Sequence, residues 1–417
     1  MQTNRANERP LPAHAPMNQF AVGNGELLVG GIPLTRLAAR VGQTPFYAYD
    51  RQSIARRVET LRAALPETLK IHYAMKANPM PALVGYMAGR VDGIDVASGG
   101  ELKIALDAGA DPRGVSFAGP GKSGADLRRA AAAGVSINVE SFREVAELSR
   151  IREETGHAAR VAVRVNPDFE LKGSGMKMGG GPRQFGVDAE QVPGLLAAIG
   201  RAGLAFEGFH LFAGAQNLRA EAIAEAQRKG YALARALAAS APAPVRALNL
   251  GGGFGIPYFP GERPLDLAPI AANLETLARH AERDFPGAEL IIELGRYLVG
   301  EAGLYVARIV DRKVSHGQVF LVADGGLHHH LPASGNFGQV IRKNYPVAIG
   351  NRMDSREREV ATIAGPLCTP LDLLADRMEL ARAEIGDLVA VYQSGAYGFT
   401  ASPRDFLGHP ACVEVLV

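Results

Sequence analysis

Little in this chain marks a disulfide-stapled, membrane-spanning or nucleic-acid-binding protein. Its 417 residues hold two cysteines, Cys368 and Cys412. Two thiols make no disulfide framework, and neither stands in a Cys/His spacing that suits zinc. Charge of one sign is not in excess: 45 Lys and Arg face 43 Asp and Glu, a net charge of +2. With no basic run or tail, nucleic acid is not expected as the main partner. The longest apolar runs are about ten residues, roughly half of what a bilayer span needs, so no membrane segment is expected. The stretch Met1 to Gln19 is polar, rich in Pro and Asn, and lacks the apolar core of a secretory signal. It reads as a loose arm on a cytoplasmic protein.

What is present suits a globular protein. The chain is 47% hydrophobic and 21% charged, and its length provides core for two domains. After an arm at 1–25, residues 26–50 suggest a short strand, a small helix (Leu34 to Val41) and a second strand, Phe46 to Tyr49. A helix over 51–64 carries Ile54, Val58 and Leu61 on one face. Strand-like runs then recur at 71–75, 92–97, 115–118, 136–140, 160–166, 205–211, 246–250 and 289–293. Helical patterns lie between them, several starting at Ser, Asp or Gly and ending at Gly109, Gly134 or Gly203. Eight such repeats predict a closed parallel (β/α)8 barrel over 51–300; an open doubly wound sheet is the rival. Beyond 300, short β-like runs separated by turn residues predict a mostly β domain over 301–417. Residues 26–50 are expected to join it. The glycine-rich basic stretch Lys172 to Arg183 reads either as a lid or as an ordered connection.

Residues at the C-terminal ends of the barrel strands are the candidates for chemistry. Lys76 follows the apolar run Leu69 to Met75 and precedes Asn78-Pro79, which stops the strand. A poorly hydrated lysine there suits an amine that loses its proton and forms an imine; a surface lysine is the competing reading. Asp95 and Ser98, Arg164 and Asn166, and His210 and Phe212 end further strands. Gly251 to Gly255 is a run whose backbone N–H groups can approach a phosphate closely, and it lacks the lysine of a nucleotide-binding P-loop. Glu293 could hold a heterocyclic nitrogen protonated, and Arg296 could grip phosphate; a structural ion pair is the alternative. A lysine for an imine, a phosphate cradle and an acid for a ring nitrogen together describe a pyridoxal phosphate site.

The motifs HYAMKAN (72–78), GIDVASGGEL (93–102), RVNP (164–167), GFHLFAGAQ (208–216), GGGFG (251–255), ELGR (293–296), GPLCTPLD (365–372) and SGAYG (394–398) follow one another in order. Over residues 25–417 the chain resembles the fold-type III pyridoxal phosphate decarboxylases. These include the diaminopimelate, ornithine and arginine enzymes and share an alanine-racemase-like barrel. The stretch 324–346 is similar to the branch containing the glutamyl-carrier-protein decarboxylase of butirosin biosynthesis and decarboxylases that accompany exosortase gene sets. The resemblance implies that Lys76 carries pyridoxal phosphate and that Glu293 pairs with its ring nitrogen. It implies that Gly252, Gly253, Arg296 and Tyr397 bind its phosphate, with Arg164 near its phenolic oxygen. It also implies a cytoplasmic homodimer in which Cys368 crosses to the partner's site and protonates the carbanion left by CO2. Cys412, in a terminal β run, reads as an inert buried thiol.

The chain departs from the family pattern at three places. The ring-stacking histidine is Phe212 here, with His210 two residues earlier as a core histidine or a supporting donor. The phosphate-binding serine is Ala215, so the backbone N–H groups of Gly214 and Ala215 are left to serve. The acid after the cysteine, which binds a distal ammonium, is Thr369, and Asp372 is a weaker substitute. A buried ammonium beside a neutral hydroxyl is poorly compensated. The substrate is therefore expected to be an acyl-linked or side-chain-acidic amino acid, free or on an acyl-carrier protein. Asp324, Arg342 and Tyr345 are candidates to contact it, with a solvated basic edge the alternative for Arg342 and its neighbour Lys343. His328-His329-His330 is not expected to bind metal, because consecutive residues cannot all face one ion. A racemase on the same scaffold would need a second base opposite the lysine, and Cys368 fits decarboxylation better. A non-enzymatic pyridoxal phosphate-binding protein would resemble the barrel alone.

Overall fold

In the computed structural model, residues 13–170, 173, 176–177, 179–337, 339 and 341–417 are described. The expected arm therefore lies largely outside the described residues, as do positions 172, 174, 175 and 178 of the glycine-rich stretch.

Eight parallel strands close into a barrel: Lys70–Ala74, Gly93–Val96, Val115–Phe117, Ser136–Val139, Arg160–Asn166, Ala205–Leu211, Ala247–Gly252 and Glu289–Leu294. Each pairs with the next in sequence, and the last pairs with the first through Glu293 opposite His72. Strands buried on both faces read as unbroken apolar runs, which is why all eight were visible in the sequence. Helices between them are fixed at their ends by short-range chemistry. Ser98 and Ser141 accept hydrogen bonds from the N–H groups of Glu101 and Glu144. Ser123 and Asp126 form a reciprocal capping box. Gly134 and Gly156 close helices in the left-handed conformation.

The second unit is a mixed β sheet around the 13-residue strand Gly303–Ser315. That strand pairs antiparallel with Gln318–Ala323, with Leu388–Val391 and with Phe46–Tyr49. Phe46–Tyr49 also pairs with the terminal strand Val413–Leu416, in parallel. A separate apolar core under this part joins Phe20, Leu27, Leu34 and Phe46 to Leu304, Val306 and Leu388. Burying a side chain such as Phe46 contributes about 1.5–3 kcal/mol, so residues 20–48 are held firmly to strands 250 residues later in the chain. Strand Leu373–Ala381 and helix Pro81–Ala88 were not foreseen.

Candidate active site

The first barrel strand ends at Ala74, one residue earlier than its apolar run suggests. Met75–Ala77 form a tight turn instead, closed by Asn78 N–H donating to Met75 O at 3.0 Å. Proline at 79 forces Asn78 into an extended conformation, so the chain cannot continue as helix. Asn78 also bridges outward: its side chain donates to Gly395 O at 3.0 Å, and Tyr73 Oη donates to Asn78 O at 2.7 Å. Tyr397 N–H donates to Ala77 O at 2.7 Å. The lysine turn is thus bolted to the β domain through the two residues that follow Lys76, whose own side chain is exposed while its neighbours are buried. Lys76 Nζ stands 5.6 Å from the centre of the Phe212 ring.

Below the lysine lies a charged group inside the barrel. Glu293 Oε2 is 2.9 Å from His210 Nε2 and accepts from Asn249 Nδ2 at 3.2 Å. All three residues are buried. Burial alone would raise the Glu293 carboxyl, but His210 beside it, with Lys76 and Arg164 further out, holds it well below the ordinary carboxylate range. Neighbouring His72 pairs with Asp95 through Nδ1 and Oδ1 at 3.1 Å. Burial disfavours the His72 cation, but the charge and hydrogen bond of Asp95, with the charges of Glu293 and Asp92, together outweigh it, so its pKa is raised.

The glycine run forms the adjoining wall. Gly251 has φ +68°, and a Cβ on Gly252 would sit 2.1 Å from Glu293 O, so side chains are excluded where these two strands approach. Arg296 Nη1 donates to Tyr258 Oη at 2.8 Å, and its guanidinium lies 4.6 Å from the Tyr397 ring centre. Among the described residues this is the one hydrogen bond of the Arg296 side chain, which leaves its other N–H groups for a ligand. Lys76, Phe212, Gly253, Glu293, Arg296 and Tyr397 line a common cavity. An accessible amine, an ionised carboxylate, a flat apolar ring and a glycine cradle beside a guanidinium fit an anionic, heteroaromatic aldehyde.

Residues 51–300 match the family model for the pyridoxal-binding domain of pyridoxal-dependent decarboxylases. The chain belongs to this family. It is 39% identical over 389 residues to the L-glutamyl-[BtrI acyl-carrier protein] decarboxylase of Niallia circulans, covering 92% of this chain and 90% of that protein. It is 33% identical to the diaminopimelate decarboxylase of Aquifex aeolicus, covering 94% and 91%. The crystal structure of diaminopimelate decarboxylase from M. jannaschii with L-lysine superposes with a TM-score of 0.85 at 25% identity, covering 96% of this chain and 93% of that one. The protein is thus a pyridoxal phosphate-dependent decarboxylase with an alanine-racemase-like barrel and a separate β domain.

In this decarboxylase the remaining candidates fall into two groups. Arg164 is buried inside the barrel, donating to Glu140 Oε1 at 3.1 Å. Cys368 is exposed on a turn of the β domain, and Thr369 beside it accepts from Leu371 N–H at 3.4 Å. Asp372 is engaged elsewhere: its two oxygens accept from Leu327 N–H at 2.5 Å and Leu367 N–H at 2.8 Å. Asp324 accepts from Thr44 and from Arg308 N–H. Arg342 donates to Ser334 O, Asn344 Oδ1 and Leu373 O. The structure therefore commits Asp324 and Arg342 to bonds within the protein. Tyr345 is buried, its ring centre 4.7 Å from that of Tyr258, and so stands one side chain away from Arg296. The rings of His328 and His329 lie 3.7 Å apart, but the three histidines have different partners. His329 reaches Pro410 O and His330 reaches Ser394 Oγ, while neither nitrogen of His328 has a partner among the described residues.

Sequence reasoning missed Tyr258, Asn249 and Glu140. A lone Asn in the apolar run before the glycines was a signal for Asn249. Nothing local marked Tyr258, whose importance comes from contact with Arg296 across 38 positions.

Proposed function

We propose that this enzyme removes the α-carboxylate of an acyl-linked or side-chain-acidic amino acid, free or presented on a carrier protein. The observation that carries this reading is the turn at 366–372. Thr369 offers a neutral hydroxyl, and the nearest acid, Asp372, has both oxygens committed to backbone N–H groups. No carboxylate of this turn is left to receive a distal ammonium. The relative from Niallia circulans, named for a glutamyl group on a carrier protein, supports the same substrate class.

Each role follows from position and chemistry. Pyridoxal phosphate supplies an electron-poor ring that accepts the electron pair left when CO2 departs. Lys76 would hold it through its amine. Glu293, kept ionised, would serve its ring nitrogen and favour the protonated form. Phe212 would cover the ring, where it excludes water and carries no proton. His210 supports Glu293 from behind. Gly252, Gly253, Arg296 and Tyr397 would hold the phosphate, and Arg164 would serve the phenolic oxygen. Cys368 of the partner subunit would supply the proton to Cα in a homodimer.

The test is CO2 release by the purified holoenzyme from a panel of lysine, ornithine, meso-diaminopimelate, glutamate and a glutamyl-carrier thioester. Release from the acidic or acyl-linked members is expected, with loss in Lys76→Ala. Comparable rates on lysine and on the thioester would remove the argument from Thr369.

A further inference from the structure

The loop 251–259 is gripped by two glutamines whose backbones both lie in the left-handed region. Gln216, at φ +57°, donates from Nε2 to Ile256 O at 2.7 Å and accepts from Ile256 N–H through Oε1 at 3.2 Å. Gln393, at φ +58° and with no exposed surface, reaches across from the β domain and donates to Pro257 O at 2.8 Å. The two side chains hold consecutive residues of one loop from opposite units of the protein. Asn217 extends the grip: its N–H donates to Gly253 O, and its carbonyl accepts from Gly255 N–H, both at 2.9 Å. Side-chain-bearing residues at positive φ are uncommon and persist where their surroundings over-determine them. Two of them gripping one loop point to a shape that must be held.

The reason lies in the composition of the cavity wall. Neither Ala213-Gly214-Ala215 nor Gly251-Gly252-Gly253-Phe254-Gly255 carries a side-chain hydroxyl or ammonium. An anion bound there is met by backbone N–H groups, whose directions are set by loop conformation alone. Glycines leave that conformation loose unless something else fixes it. We propose that Gln216 and Gln393 are positioning residues that fix the glycine loop as the anion cradle for the cofactor's phosphate. This rests on the assignment of Gly252 and Gly253 to the phosphate.

The full-length apoenzyme is titrated with pyridoxal phosphate, with pyridoxal, which lacks the phosphate, and with inorganic phosphate. The isosteric variants Gln216→Met and Gln393→Met are titrated in parallel. In the wild type, pyridoxal phosphate binds far more tightly than pyridoxal; equal affinities would overturn the phosphate assignment itself. Given that preference, Gln216→Met is expected to lose roughly tenfold or more in affinity for pyridoxal phosphate and for inorganic phosphate, the scale of one or two lost hydrogen bonds. Its affinity for pyridoxal, held by Lys76, stays within about twofold on the same scale. Unchanged phosphate affinity overturns the clamp. So does an equal loss for all three ligands, which is the mark of general distortion. Gln393 is fully buried and its variant is open to misfolding; half-buried Gln216 decides the matter alone in that case.

Discussion

His210 Nε2 stands 2.9 Å from Glu293 Oε2, both side chains buried inside the barrel. The histidine that sequence comparison leaves without a ring to stack on is set behind the acid instead, and Phe212 occupies the place beside Lys76. The apolar ring beside Lys76 and the imidazole beside Glu293 therefore come from two residues two positions apart at the end of one strand. The acid gains a partner that keeps it charged where burial alone would neutralise it.

Replacing Glu293 by Gln removes the charge and keeps the shape. Turnover is expected to fall roughly 100-fold or more, the scale seen when one preorganised electrostatic contact is deleted. The substitution also tests linkage. A carboxyl held below its ordinary value of 4.5 stabilises the fold fully above that pH, and the contribution fades as pH falls through the lower folded value. The stability difference between wild type and Glu293→Gln should therefore shrink on acidification in urea titrations. Parallel curves from pH 7 downward would contradict the ionised state of Glu293.

Lys76→Ala should separate chemistry from folding. The Lys76 side chain is exposed and its backbone is held by neighbours, so apoprotein stability is expected to change by less than about 0.5 kcal/mol. Covalent retention of the cofactor, read by absorbance after gel filtration, should vanish together with CO2 release. A large drop in melting temperature of the apoprotein would instead give the lysine a structural role.

How much of this was legible depended on how local each signal was. The barrel strands were readable because parallel strands buried on both faces are continuous apolar runs, and Lys76, Glu293 and Arg296 stand at their ends. Leu373–Ala381 was not, because Leu, Ala, Met, Glu and Arg are good helix formers; pairing with Arg358–Ala364 makes it a strand. Pro81–Ala88 is apolar almost all round, so it shows no amphipathic period. The commitment of Asp372 to Leu327, and of Gln393 to Pro257, spans 45 and 136 positions. No short-range pattern announces such contacts.

His328 gives a second pH prediction, of the opposite charge type. It is fully buried with no partner for either ring nitrogen among the described residues, and burial followed by His329 and His409 lowers its pKa to about 3. The unfolded chain takes up a proton near pH 6.5 while the folded one refuses it. Stability is thus intact above 6.5 and declines as pH falls toward 3, by up to roughly 1.4 kcal/mol per pH unit for one such group. His328→Leu should flatten the dependence of the urea midpoint between pH 6.5 and 5. An unchanged slope would mean that the folded protein accepts this proton.

The shared site can be tested by mixing two inactive proteins. If Cys368 serves the partner's cavity, Lys76→Ala and Cys368→Ala each fail alone for different reasons. Exchange of subunits makes half of the dimers mixed. In each mixed dimer one cavity pairs the intact lysine of one subunit with the intact cysteine of the other, and the second cavity lacks both. About one quarter of wild-type activity should therefore return in an equal mixture, from the two-fold symmetry of such an assembly. Were lysine and cysteine to act within one chain, no mixture would contain a complete site, and activity would stay at the level of the single variants. Size-exclusion chromatography with light scattering on the same samples reports whether subunits have paired, so an inactive mixture of paired chains would count against the crossing cysteine itself.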